Sequence, residues 1–184
     1  MAYGLSPFAD RVIFLMPLTR FPDHEDKRVF MSTVLTMSLP APDSAHTDRL
    51  SVAAFWIEAD QPAAREITTE FVIDLIEHGA LGLVLGGSGA EAAATVFETA
   101  VAEGEFSNYP GEDIEVLVQP EASFDEFLFS AAEEAMVPDI YADQPWDIVI
   151  WARGGDPSLP QLRTRLGRLS DLVDEIYDVG GEES

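Results

Sequence analysis

The chain has 184 residues, 34 acidic against 10 basic side chains, a formal net charge of −24 and a hydrophobic fraction of 47%. That apolar content excludes generic disorder, which needs low hydrophobicity together with high charge, and the charge argues against direct nucleic acid or anionic membrane as partners, since both require clustered Lys and Arg. With no cysteine, disulfides, thiolate catalysis and Cys-ligated metal sites are excluded as well.

The first residues carry no basic n-region, and the apolar run Val12–Leu18 is interrupted by Pro17 and far too short to span a bilayer. The expectation is a cytoplasmic protein without signal peptide or transmembrane helix. Three β-rich segments follow, Arg11 to Leu18, Val29 to Leu39 and Leu50 to Glu58, bounded by Phe21-Pro22-Asp23-His24-Glu25-Asp26 and Pro40-Ala41-Pro42-Asp43-Ser44. Their spacing predicts an antiparallel meander with loops longer than tight hairpins.

From Asp60 the period changes. Pro62 to His78 places Ile67, Phe71, Leu75 and Ile76 on one face and Glu66, Glu70, Asp74 and Glu77 on the other, with Asp60 as cap and Gly79 as stop. A buried strand, Leu81 to Leu85, precedes Gly86-Gly87-Ser88-Gly89 and a helix from Ala90 to Glu103, where Ser88 and Glu91 read as a capping box. Ile114 to Val118 reads as a strand, Phe124 to Met136 as a helix capped by Ser123 and Glu126, and Trp146 to Ala152 as a strand. The last helix spans Leu159 to Asp178, with Ser158 and Gln161 as its capping pair. The predicted fold class is α/β: a layered sheet with N-terminal antiparallel strands, then strand-helix alternation and a C-terminal amphipathic helix, in a single domain over 1–181 with a frayed tail at 182–184.

Charge is uneven along the chain. Residues 58–152 hold twenty-one acids and Arg65 as the sole base, and Lys27 is the only lysine against nine arginines. This skew resembles the composition of proteins from high-salt cytoplasm, where a short Debye length mutes repulsion and carboxylates hold water and cations at the surface. A DNA mimic or acidic inhibitor is the competing reading, although the acids fall on the polar faces of ordinary amphipathic helices.

Chemistry has few footholds. Gly87-Ser88-Gly89-Ala90-Glu91-Ala92 matches Gly-x-Gly-x-x-Ala between a strand and a helix, so Gly86, Gly87, Ser88 and Gly89 are the candidate anion- or nucleotide-binding residues. Against this, small residues also suit a tight structural turn, Glu91 adds negative charge, and Glu121 comes late for a ribose contact. Asp23-His24-Glu25-Asp26 groups one imidazole with three carboxylates but has no second His arm, so no metal ligands are assigned. His46 lies in a loop near Asp48, and His78 reads as a helix C-terminal cap. No serine occupies a Gly-x-Ser-x-Gly elbow, since Gly86 and Ala90 take the outer positions around Ser88, and no catalytic residue is assigned.

The sharper interaction signal is C-terminal. Leu159, Leu162, Leu166, Leu169, Val173 and Ile176 recur in steps of three and four, a seam suited to a second helix. Arg163, Arg165 and Arg168 precede Asp171, Asp174, Glu175 and Asp178, which opposes the dipole of a single continuous helix. An antiparallel copy of the helix would pair these charges. The first functional expectation is therefore a non-enzymatic assembly protein, a homo-oligomer or the partner of another protein, without cofactor. A nucleotide- or phosphate-binding α/β enzyme using the Gly86–Gly89 turn and an acidic inhibitor are the alternatives.

Overall fold

The computed structural model describes residues 18–38, 40–41, 43–106, 109 and 114–181. Six strands form one mixed sheet in the order β1-β2-β6-β3-β4-β5: β1 (Thr19–His24), β2 (Lys27–Val34), β3 (Leu50–Trp56), β4 (Ala80–Gly86), β5 (Val116–Gln119) and β6 (Trp146–Arg153). Only β1 and β2 pair antiparallel; the remaining neighbours are parallel. The α/β class and the strand-helix alternation are those expected from the sequence.

Near-continuous apolar runs explain the centre. β3, β4 and β6 bury almost every side chain, as strands covered on both faces must. The helices between them are α1 (Ala63–Glu66), α2 (Thr69–Glu77), α3 (Ala90–Glu103) and α4 (Phe124–Phe129), and α5 (Leu159–Leu166) and α6 (Leu169–Gly181) follow β6. The chain leaves β3 toward β4 and β5, then returns to place β6 on the other side of β3. Right-handed crossovers consequently put α2 and α3 on one face and the α4 connection on the other. Among the described residues no helix is long and apolar enough to cross a membrane.

Several boundaries differ from expectation, each for a local reason. The segment Arg11 to Leu18 lies, except for Leu18, outside the described residues, and the stretch read as a loop, Phe21 to His24, belongs to β1. Pro22 is tolerated there because β1 is an edge strand, and the turn to β2 is only Glu25-Asp26, with Glu25 in the left-handed region at φ 53°. The helix expected over Pro62 to His78 breaks at Ile67-Thr68, where extended Ile67 ends α1. Thr68, rather than Asp60, caps α2 by accepting from the Phe71 N–H. Gly79 stops α2 as expected, at φ 91°.

The predicted capping boxes divide. Ser123 and Glu126 form theirs reciprocally, and that Ser123 bond holds the Glu126 carboxyl below the usual carboxylate range. Ser88 does not cap α3, whose N-cap is Gly89, and Ser158 is itself held by Asp156. The helix after Ser123 also widens into a π-helical turn over Ser130–Glu134, closed by the Ala135 N–H on the Ser130 carbonyl.

The C-terminal helix is two helices. Gly167 ends α5 and α6 starts at Leu169, so Arg163 and Arg165 fall in the last turn of one helix and Asp171 in the first turn of the next. Both placements favour the dipole, and the electrostatic conflict read from a continuous helix disappears. Arg165 meets Asp125 of α4 at 3.2 Å, and Arg168 meets Asp171 and Glu175.

Candidate metal centre

Two unrelated segments meet at the N-terminal edge of the parallel strands. A 3-10 turn, Asp43–Ala45, carries Asp43 and leads into His46, while α2 presents Asp74 and ends on His78. Asp74 and His78 are four residues apart and so share one helix face. One nitrogen or oxygen from each of His46, Asp74 and His78 lies within 4.8 Å of the others.

The donors differ in exposure. The His46 side chain is 6% exposed, and its Nε2 is buried without a hydrogen-bond partner, 3.3 Å from Asp74 Oδ2 but not aligned to bond it. Asp74 Oδ2 is itself fixed by the Ala41 N–H at 3.1 Å. His78 Nδ1 donates to the Asp74 carbonyl at 2.8 Å, the C-terminal capping role expected of it, which leaves Nε2 with its lone pair free. That Nε2 lies 3.7 Å from Asp43 Oδ1, whose side chain is fully exposed.

The His46 and His78 rings stack at 3.9 Å and 13°, and His46 also tilts against Trp151. His78, at 34% exposure, opens onto a cavity of about 430 Å³ lined also by Thr47, Arg49, Tyr109 and Gln144. No protein-family model matches this chain, and neither a curated protein nor a solved structure matches it. The chemistry of the site therefore rests on its donor set.

The opposite edge of the sheet holds the glycine turn. There β3 is flanked by β4 and β6, the switch point at which open α/β sheets commonly bind ligands. In this chain the turn is closed by neighbouring groups. The Gly89 N–H donates to the Ile57 carbonyl at 2.8 Å, and the Ser88 hydroxyl donates to Glu58 Oε2 at 2.7 Å while accepting from the Ala59 N–H. Trp56 Nε1 donates to the other oxygen of Glu58, so a carboxylate of the chain stands beside the turn.

Packing accounts for the glycines. A Cβ on Gly86 would lie 2.5 Å from the Phe127 ring, and one on Gly87, at φ 90°, would lie 2.6 Å from the Ile57 carbonyl oxygen. These contacts are the close approach that the tight-turn reading required.

The leucine seam faces inward. Leu162, Leu166, Leu169 and Val173 are buried in the chain's own core and Ile176 packs against it, leaving Arg163 and Arg168 exposed. A partner helix cannot use that apolar face while the core is intact. His24 also has donor atoms of Glu25 and Glu133 within 4.8 Å of its own, but its ring nitrogens are already engaged. Its Nε2 lies 2.8 Å from Glu133 Oε1 and its Nδ1 3.2 Å from Ser170 Oγ, so both nitrogens have protein partners.

The sequence holds one local signal of this cluster: the Asp74/His78 pair at four-residue spacing. His46, 28 positions before Asp74 and in an irregular segment, offered none.

Proposed function

We propose that this chain binds one divalent transition-metal ion through His46 Nε2, the Asp74 carboxylate and His78, with Asp43 within reach. The observation that carries this reading is the buried, unpartnered His46 Nε2 facing Asp74 Oδ2 at 3.3 Å. Buried polar atoms normally have partners, and tetrahedral zinc with bonds of about 2.0–2.2 Å separates adjacent donor atoms by about 3.3–3.5 Å. His46 and Asp74 thus supply one edge of such a shell. The two rings stack face to face at 3.9 Å, and His78, the more exposed ring, is the one free to adjust as the shell closes.

Three protein donors leave one position of a tetrahedral shell open, the arrangement of metals that activate water rather than metals that only brace a fold, and His78 is the donor that lines the cavity. A small polar substrate held beside Arg49 and Tyr109 would meet that position. Cobalt is a convenient probe. One equivalent of Co²⁺ added to the full chain in molar KCl is expected to give visible absorption bands of a low-symmetry site, lost in His46→Ala. Featureless hexa-aqua-like absorption in both proteins would refute the reading.

A second reading concerns solvent, and the net charge of −24 favours it. The acidic surface is salt-adapted: at molar ionic strength the Debye length falls to about 3 Å, and carboxylate repulsion subsides. Raising KCl from roughly 0.1 M to roughly 2 M should raise the melting temperature, by about 2–4 °C for each kcal/mol of relieved repulsion. A melting temperature that falls or stays level over that range would contradict it. Assembly remains a proposal only through a surface other than the leucine seam, and light scattering reads it directly.

A further inference from the structure

We propose that Ser170, His24 and Glu133 form a catalytic relay in which Ser170 is an acyl-accepting nucleophile toward carboxylic esters. Three separate elements converge to build it: the end of β1 brings His24, the π-helical turn brings Glu133, and the first turn of α6 brings Ser170. The His24 side chain is 7% exposed, whereas Ser170 is at the surface, so the base lies behind a nucleophile that solvent and substrate can reach.

The proton inventory fixes the direction of the relay. Burial pushes the Glu133 carboxyl up, but the His24 hydrogen bond and the Lys27 charge together outweigh it and hold the group below the ordinary carboxylate range. An ionised Glu133 can only accept. It takes the Nε2–H of His24 on Oε1 at 2.8 Å and the Tyr177 hydroxyl on Oε2 at 3.2 Å. The remaining His24 nitrogen, Nδ1, faces Ser170 Oγ at 3.2 Å, and in the neutral ring it is the nitrogen that offers a lone pair, the contact a general base needs.

The step balances without a co-reactant beyond water. As Ser170 Oγ forms a bond to the ester carbonyl carbon, its proton moves to His24 Nδ1, and Glu133 stabilises the imidazolium through Nε2–H. Collapse breaks the bond to the leaving alcohol, which takes the proton from His24. Water, deprotonated by His24, then attacks the acyl carbon, and Ser170 and a carboxylic acid are released. This site is independent of the proposed metal centre, which uses none of these residues.

The test is active-site labelling of the full chain in molar KCl, with EDTA present so that metal chemistry cannot contribute. A fluorophosphonate is expected to add one phosphonyl group, mapped by peptide mass to Ser170. Ser170→Ala, at an exposed position, should fold normally and take no label. His24→Gln should slow labelling about 10²-fold or more, and hydrolysis of p-nitrophenyl acetate should fall in parallel. Wild-type protein that takes no label at Ser170, or equal labelling rates in wild type and His24→Gln, would overturn the proposal.

Discussion

Arg28→Ala is expected to destabilise the fold by about 3–5 kcal/mol, because it strands a buried charge. Arg28 on β2 and Asp147 on β6 are paired in parallel register, and Asp147 has no exposed surface. The guanidinium grips the carboxylate at both ends, Nε to Oδ1 at 2.8 Å and Nη2 to Oδ2 at 2.6 Å, and these bonds raise the Arg28 pKa above its already high value. Without Arg28 the carboxylate loses the cation that pairs with it inside the sheet. Replacing both groups by Arg28→Met with Asp147→Leu should return most of the loss, since a buried pair gains little over well-packed apolar side chains.

The exposed partner serves as the control. Arg28 also bonds Asp48, whose carboxyl it holds below the usual range, but Asp48 lies in solvent. Asp48→Ala should change stability by no more than about 1 kcal/mol. Urea melts in molar KCl measure all three without altering ionic strength. A loss under about 1 kcal/mol for Arg28→Ala would contradict the structure's burial of this pair.

Leu166→Asp is expected to unfold the protein. Leu166, the last residue of α5, is fully buried in the core, where truncation of a leucine to alanine alone costs about 2–5 kcal/mol and a carboxylate adds the cost of an unpaired buried charge. If the seam instead faced a partner, the same substitution would dissolve an oligomer and leave a folded monomer. Far-UV circular dichroism with light scattering separates these outcomes. Arg163→Ala, on the exposed face of the same helix, should stay within about 0.5 kcal/mol.

The seam also shows where sequence reading ends. Its period of three and four residues marks a buried helical face, but periodicity does not say whether the covering layer comes from the same chain. Gly167 was the available clue: a glycine between two apolar-periodic halves weakens a helix and here divides it, which moves Arg163 and Arg165 to a favourable end. In β3, β4 and β6, by contrast, dense apolar runs between turn residues leave little alternative, and those strands fall within a few residues of expectation.

Edge structure was harder to read because its local chemistry resembles a loop. Pro22 and the acids around His24 have low strand propensity, yet the hairpin with β2 overrides it at the sheet edge. Both candidate sites depend on contacts of that long-range kind. His24 finds Glu133 across 109 positions and Ser170 across 146, so no local spacing could have joined them. The glycine turn is the converse case, a legible motif whose N–H and hydroxyl groups the fold ties to Ile57 and Glu58.

The measurement that bears most directly on this account is calorimetric titration of the full chain with Zn²⁺ in molar KCl, where loose binding to surface carboxylates is screened. One equivalent per chain is expected to bind, with affinity reduced at least about tenfold in Asp74→Asn and lost in His46→Ala while both variants retain the wild-type circular dichroism. Absence of a stoichiometric site in the wild type, or undiminished binding in His46→Ala, would show that His46 Nε2 does not face a metal.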